Sequence, residues 1–232
     1  MNPGRPTAAF FDLDKTIIAK SSTMAFSKPF QAGGLISRGA VLRSAYAQFV
    51  YVVGGADHDQ MEKMRHFMSQ LVGGWDVATV REIVADTLHN VVDPLVYDEA
   101  VSLIEDHKEA GRDVIIVSAS GLDVVGPIGQ LLGADGVVAT ELEISEDGKY
   151  TGGITRYVYA EEKARAIRDL AEEAGYDLAE CYAYSDSVTD VPMLEVVGHP
   201  FAVNPDKELK KVAEEKEWPV LVFSRQIGRA HV

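Results

Sequence analysis

The chain has 232 residues, 47% hydrophobic and 25% charged, with a formal net charge of −14. That length suffices for one large domain, or for a core domain carrying a smaller insertion. The acidic excess argues against a general nucleic-acid or anionic-membrane binder, while a small phosphorylated ligand stays compatible if a local cation receives it.

The elements read as follows in chain order. Residues 7–12, Thr-Ala-Ala-Phe-Phe-Asp, form a short strand, apolar throughout as expected when both faces are covered. From Ser21 to about Pro94 the pattern is helical, in three pieces: ISRGAVLRSAYAQFVYVV, HDQMEKMRHFMSQLV and DVATVREIVADTLHNVV. Gly33-Gly34, Gly54-Gly55 and Gly73-Gly74 separate the pieces, and Asp57 and Asp76 are candidate N-caps. After Pro94 helices and strands alternate. YDEAVSLIEDHKEAG is a helix, DVIIVSAS a buried strand, and LDVVGPIGQLLG a short helix disturbed by Pro127. GVVATELEISEDGKYTGGI reads as a hairpin turning at Asp147-Gly148. A strong helix follows in AEEKARAIRDLAEEAG, then strand CYAYSD, helix VPMLEVVG, strand PFAVN, helix DKELKKVAEEKE and strand PVLVF. Such alternation predicts an α/β fold, Rossmann-like with a mainly parallel sheet, preceded by an all-helical insertion.

Polar residues stand where apolar strands end: Asp12 with Asp14 and Thr16, Ser118, Lys163 after the hairpin, and Asp186 with Asp190. An open parallel sheet would gather them along the carboxyl edge of its strands. Individually each has an ordinary reading. Asp186 and Asp190 could cap turns, Ser118 could be a turn hydroxyl, and Lys163 could be a solvated partner of a helical acid. The six histidines show no ligand spacing and read as surface or cap residues.

Together the motifs DLDKT, VIIVSAS, EEKA and YSDSVTD resemble, in order, the four motifs of the haloacid dehalogenase superfamily. The helical segment directly after the first motif resembles the cap of its phosphoserine-phosphatase-like subgroup. The resemblance spans nearly all of residues 7–223. It implies a catalytic core formed by residues 1–20 and 95–226, with a helical cap over 21–94. The last residues, 227–232, read as a non-native tail following a complete strand.

The resemblance also implies roles. Asp12 attacks phosphorus and becomes an aspartyl phosphate. Asp14 protonates the leaving oxygen, then activates the water that cleaves the intermediate. Thr16, Ser118 and Lys163 bind the phosphoryl group, and Asp190 holds Lys163 or a metal-bound water. The chemistry also stands without the family. A phosphomonoester dianion approaching a carboxylate meets repulsion of roughly 4 kcal/mol per charge pair at ~4 Å and an effective dielectric near 20. A divalent cation on Asp12, Asp186 and the backbone carbonyl of Asp14 reverses it, and oxygen-only ligands favour Mg²⁺. The expected enzyme is a Mg²⁺-dependent phosphomonoester hydrolase acting on a small phosphorylated metabolite. A phosphotransferase with the same intermediate is one alternative, and a phospho-accepting regulator without turnover is another.

Several positions depart from the subgroup. Where its phosphoserine phosphatases carry a glutamate nine residues after the nucleophile, this chain has Ser21. Two glycines after the motif-two serine are replaced by Ala119 and Ser120. Ser185 and Thr189 replace a glycine and an asparagine of the fourth motif. Weak or absent phosphoserine specificity is therefore expected. Met24, Phe26, Phe30, Met61, Met64, Phe67 and Met68 read first as core, with an apolar leaving-group pocket as the other possibility. Arg38 and Arg43 read as solvated faces or as basic residues near substrate, and Arg65 as a candidate contact to a substrate acid. A single cysteine, Cys181, rules out an intrachain disulfide and fits a reducing compartment. The N-terminus lacks a signal-peptide pattern, and the stretch SAYAQFVYVVGG is too short to span a bilayer. A cytoplasmic protein without stable membrane insertion is expected, its oligomeric state left open.

Overall fold

Every side chain of the first strand is buried, yet they go to two different places. In the computed structural model, which describes residues 6–36 and 71–227, strand β1 (Ala8–Phe11) sends Ala9 and Phe11 into one apolar cluster and Ala8 and Phe10 into another. The same alternation recurs along β2 (Asp113–Gly121), with Val114 and Ile116 on the first side and Ile115 and Val117 on the second. A period of two with both sets apolar is what a strand covered on both faces requires.

The covering helices explain the two clusters. After β1 come two short helices, α1 (Ser22–Ala25) and α2 (Ser27–Ala32), and then α3 (Val77–Val92) and α4 (Asp98–Glu109). Helix α5 (Leu122–Leu131) follows β2 and runs through Pro127. Phe26 between α1 and α2, and Phe30, Val80, Val84, Ile104 and Ile128 from the helices, fill the first cluster. The opposite face is covered by α6 (Glu161–Ala174), α7 (Val191–Glu195) and α8 (Lys207–Glu215) through Ile167, Met193, Leu194 and Leu209.

The remaining strands are β3 (Gly136–Ile144), β4 (Tyr150–Arg156), β5 (Tyr182–Ser185), β6 (His199–Val203) and β7 (Val220–Leu221). They complete a seven-stranded sheet of order β4-β3-β2-β1-β5-β6-β7. All neighbours are parallel except β3 and β4, the expected hairpin, whose turn places Gly148 at φ 77. A positive φ there suits glycine and explains Asp147-Gly148 as the turning point. The α/β architecture with a mainly parallel sheet is thus as expected. The last strand is shorter than the PVLVF run, pairing only Val220 and Leu221 with β6.

The α3 helix starts where the sequence indicates, Asp76 accepting from Thr79 N at 2.8 Å. Most of the first two helical pieces lies outside the described residues, as do Asp57, Arg38, Arg43, Arg65, Met61, Met64, Phe67 and Met68. Of the remaining apolar candidates, Phe26 and Phe30 are core, whereas Met24 is 47% exposed. Residues 228–232 also lie outside the described residues, while Ile227 N bonds Val96 O at 3.0 Å. One reading needs correction: His107 is neither surface nor cap. It is buried, its Nε2 lies 2.8 Å from the Tyr184 hydroxyl, and its ring packs edge-on to Phe11 and Tyr184.

Candidate active site

Strands β2, β1 and β5 are adjacent and parallel, so their carboxyl ends present Ser118, Asp12 and Asp186 side by side. Asp12 continues the sheet by one further bond, from its N–H to the Tyr184 carbonyl at 2.9 Å. The chain then reverses at Lys15, whose φ of 67 is left-handed, and Thr16 returns fully buried beneath the turn. Its hydroxyl donates to Asp12 Oδ2 at 3.2 Å.

Lys163 is the site's buried cation. It stands in the first turn of α6 and is only 3% exposed, which overturns the reading of a solvated helical partner. Its Nζ donates to Asp12 Oδ1 at 2.6 Å and to Asp190 Oδ2 at 2.7 Å. Asp190 also accepts from the Ser185 hydroxyl at 2.7 Å. Burial alone would lower the Lys163 pKa, but Asp12 and then Asp190 outweigh it and hold the ammonium charged.

Asp12 nevertheless does not behave as a well-neutralised carboxylate. Burial pushes it up to about 7; Lys163 opposes this, while Asp190 and Asp14 add to it. Asp186 is pushed up to about 8, first by burial and then by Asp12. Both directions come first from burial and then from the mutual repulsion of neighbouring carboxylates, of which only Asp12 and Asp190 contact the Lys163 ammonium. Moreover, no donor among the described residues reaches the Asp186 carboxylate, although it is only 7% exposed. Lys15 and, more weakly, Lys163 act on it electrostatically without hydrogen-bonding it, and a carboxylate so buried beside Asp12 and Asp190 favours a further cation. Among the described residues no three Asp, Glu, His or Cys side chains form a complete metal cage. Two carboxylates plus a backbone carbonyl fit Mg²⁺, which keeps several waters and binds through few protein ligands.

Beside this cluster stands a second one, built from Asp14 and serine hydroxyls. Asp14 is partly buried and accepts from Ser22 N at Oδ1 and from the Ser120 hydroxyl at Oδ2, both at 2.7 Å. The Ser22 hydroxyl in turn donates to Ser120 Oγ at 3.0 Å. Ser118 is 1% exposed and its Oγ accepts from Ser120 N at 3.2 Å. The Ser118 hydroxyl proton finds no acceptor among the described residues, as suits a donor awaiting an anion.

All seven expected residues therefore lie in the two neighbouring clusters. Sequence reasoning missed Ser22, Ser120 and Ser185 as participants. Two of these gave a signal, since Ser120 and Ser185 are hydroxyls where the resembled motifs have glycine. A separate cleft of about 680 Å³ lies along His199–Phe201 and Lys216–Pro219. It begins at the amino end of β6, so it is not where these residues converge.

A family model for haloacid dehalogenase-like hydrolases matches residues 9–195. The chain is 63% identical over 221 residues to an "inhibition of morphological differentiation protein" of Streptomyces azureus, covering 95% of this chain and 80% of that one. It is 60% identical over 226 residues to a probable phosphatase of Mycobacterium tuberculosis, covering 97% and 78%. A phosphoserine phosphatase of the same organism is 32% identical over 218 residues, covering 93% and 70%. Among solved structures, a Bordetella pertussis protein of unknown function superposes with a TM-score of 0.81 at 28% identity, covering 94% of this chain and 99% of that one. A phosphoserine phosphatase with a phospho-aspartyl intermediate analogue gives 0.70 at 19% identity, covering 97% and 96%, and shares the fold.

Proposed function

The chain belongs to the haloacid dehalogenase-like hydrolases, among their phosphoserine-phosphatase-like members, and from that premise we propose that it hydrolyses small phosphomonoesters through an aspartyl phosphate on Asp12. The observation that carries this reading is the charge imbalance at the sheet edge. Lys163 is locked between Asp12 and Asp190 while Asp186 is buried without a donor. Such a site suits a cation and a phosphoryl group and is costly without them.

Asp12, Asp186 and the Asp14 carbonyl would hold Mg²⁺, which would supply the positive charge that lets a dianion approach. The chain's own residues do the rest. Asp12 Oδ forms the bond to phosphorus as the ester oxygen departs. Asp14 gives its proton to that oxygen, and its carboxylate later takes one from the attacking water. Lys163 stabilises charge spreading over the phosphoryl oxygens, with Asp190 and Ser185 holding its ammonium in place. Ser118 donates to a phosphoryl oxygen. Thr16 fixes the Asp12 carboxylate. Residues 21–94 are assigned as a cap and 1–20 with 95–226 as the core, to which Ile227 is bonded through Val96. A reducing compartment such as the cytoplasm suits the buried thiol Cys181. Among the described residues no helix is long and apolar enough to cross a membrane.

For the substrate, the relative named for phosphoserine pulls one way and Ser21 the other. The ammonium carried by the departing serine needs an acidic partner where Ser21 offers only a hydroxyl, and losing a buried ion-pair partner typically costs several kcal/mol. We therefore place phosphoserine among the poor substrates. The test is phosphate release from a panel of phosphoserine, histidinol phosphate, sugar phosphates, phosphocholine and lysophosphatidate. It is run with Mg²⁺, with EDTA, and with Asp12→Asn as the blank. Turnover abolished by EDTA and by Asp12→Asn is expected. Turnover that survives either contradicts the mechanism, and a high, selective kcat/KM for phosphoserine contradicts the substrate reading.

A further inference from the structure

We propose that Ser120, backed by Ser22, is a positioning residue that aims the Asp14 carboxylate at the leaving oxygen, so that this chain is built for phosphate esters of poorly departing alcohols. The inference rests on the phosphatase reading above and deepens it.

The argument begins with what Asp14 must do. Expelling an alkoxide needs a proton delivered as the P–O bond breaks, and delivery is efficient only when the carboxyl is held within hydrogen-bond reach in the right orientation. A carboxylate on a turn, partly exposed and followed by a left-handed residue, has freedom about its side-chain bonds. Here both its oxygens are engaged, and by donors from different elements. Ser22 N at the start of α1 takes Oδ1, and Ser120 Oγ at the end of β2 takes Oδ2, each at 2.7 Å. The fully buried Ser22 hydroxyl then donates to Ser120 Oγ at 3.0 Å, fixing that rotor in turn.

Ser120 has a second attachment. Its N–H bonds Ser118 Oγ at 3.2 Å, so one residue sets the spacing between the candidate phosphate donor and the candidate acid. A glycine at this position could keep the backbone bond but not the hydroxyl. The serine here therefore adds a contact to the proton-transfer side of the site and none to the Asp12–Lys163 side. Ser22 and Ser120 are positioning residues: they contact Asp14, Ser118 and each other, and act on the substrate only through those side chains.

The test separates positioning from general damage by leaving group. Ser120→Ala, Ser120→Thr and Ser22→Ala in the full chain with Mg²⁺ are compared on p-nitrophenyl phosphate, whose phenolate departs without much help, and on the best alkyl phosphate of the panel. For Ser120→Ala, kcat/KM on the alkyl ester is expected to fall roughly 10- to 100-fold, carried by kcat. The fall on the aryl ester should be at least about five-fold smaller. Ser120→Thr, which keeps the hydroxyl, should restore most of the loss. Ser22→Ala should show a weaker loss of the same leaving-group dependence. Equal losses on both esters, no loss, or failure of threonine to rescue would overturn the inference while leaving the phosphatase reading intact. A parent protein that turns over neither ester contradicts the reading itself, and the inference with it.

Discussion

Asp12 and Asp14 are the same residue type two positions apart, and the fold treats them oppositely. Asp12 is 6% exposed and meets an ammonium and a hydroxyl inside a cluster with two more carboxylates. Asp14 is partly exposed and meets the Ser22 backbone N–H and the Ser120 hydroxyl, which the Ser22 hydroxyl backs in turn. On the proposed reading, burial and net charge divide the labour: the first half would hold and shield a phosphoryl group, whereas the second would move protons. Removing a group from the charged half should damage stability as well as activity. Removing one from the hydroxyl half should damage activity alone.

The sharpest way to break this contrast is Lys163→Met. Without the ammonium, the carboxylates of Asp12 and Asp190 lose their shared partner. Stripping one member from a buried ionic cluster typically costs ~3–5 kcal/mol. Urea unfolding should register a loss of that order, and phosphate release should vanish. Unaltered stability would mean that Lys163 is not the cluster's counter-charge. Asp14→Asn comes next, with turnover of alkyl esters expected to fall roughly 10²- to 10⁴-fold and unfolding little changed. A stability loss matching that of Lys163→Met would erase the distinction.

Ser185→Ala probes the margin of the charged half. It removes the 2.7 Å bond to Asp190, and leaving a buried acceptor short of a donor costs about 1–3 kcal/mol. A neutral result in urea would show that Lys163 alone satisfies Asp190.

The smallest expected effect lies outside both halves, at His107. Burial lowers its pKa to about 4, with Arg112 contributing the same way and Asp106 opposing. In the unfolded chain a histidine titrates near 6.5. Between those values the unfolded state binds the extra proton, so this stabilising contribution is full above about pH 6.5 and is lost as pH falls toward 4. The amount by pH 5 should be roughly 1–2 kcal/mol, reduced from the full shift by residual solvation. Comparing thermal midpoints of the parent and His107→Phe at about pH 7 and pH 5 isolates it. The parent should lose more on acidification, and parallel losses would contradict a neutral buried His107.

The same contrast shows what the sequence makes legible. Apolar runs ending in Asp12, Ser118 and Asp186 are visible because a strand buried on both faces has few alternatives, and the parallel sheet then aligns their ends. Lys163 was legible only through the motif order. On its own helix EEKARAIRDL looks like a solvated face, and its burial depends on Asp12 and Asp190 arriving from elsewhere. The hydroxyl half was less legible still. Nothing local to Ser22 distinguishes it from a helix-start serine, and its link to Ser120 spans 98 positions. His107 was misread for a similar reason: within DEAVSLIEDHKE it sits among charges, and the Tyr184 hydroxyl that accommodates it comes from a strand 77 residues later.

The central claim is that Asp12 carries the phosphoryl group, and acid-quenched enzyme tests it most directly. Full-length protein with Mg²⁺ and the best substrate of the panel is quenched in steady state, reduced with borohydride and peptide-mapped. The account predicts a single modified aspartate at residue 12, absent in Asp12→Asn. Sustained turnover with Asp12 unmodified in both the parent and Asp14→Asn would contradict it.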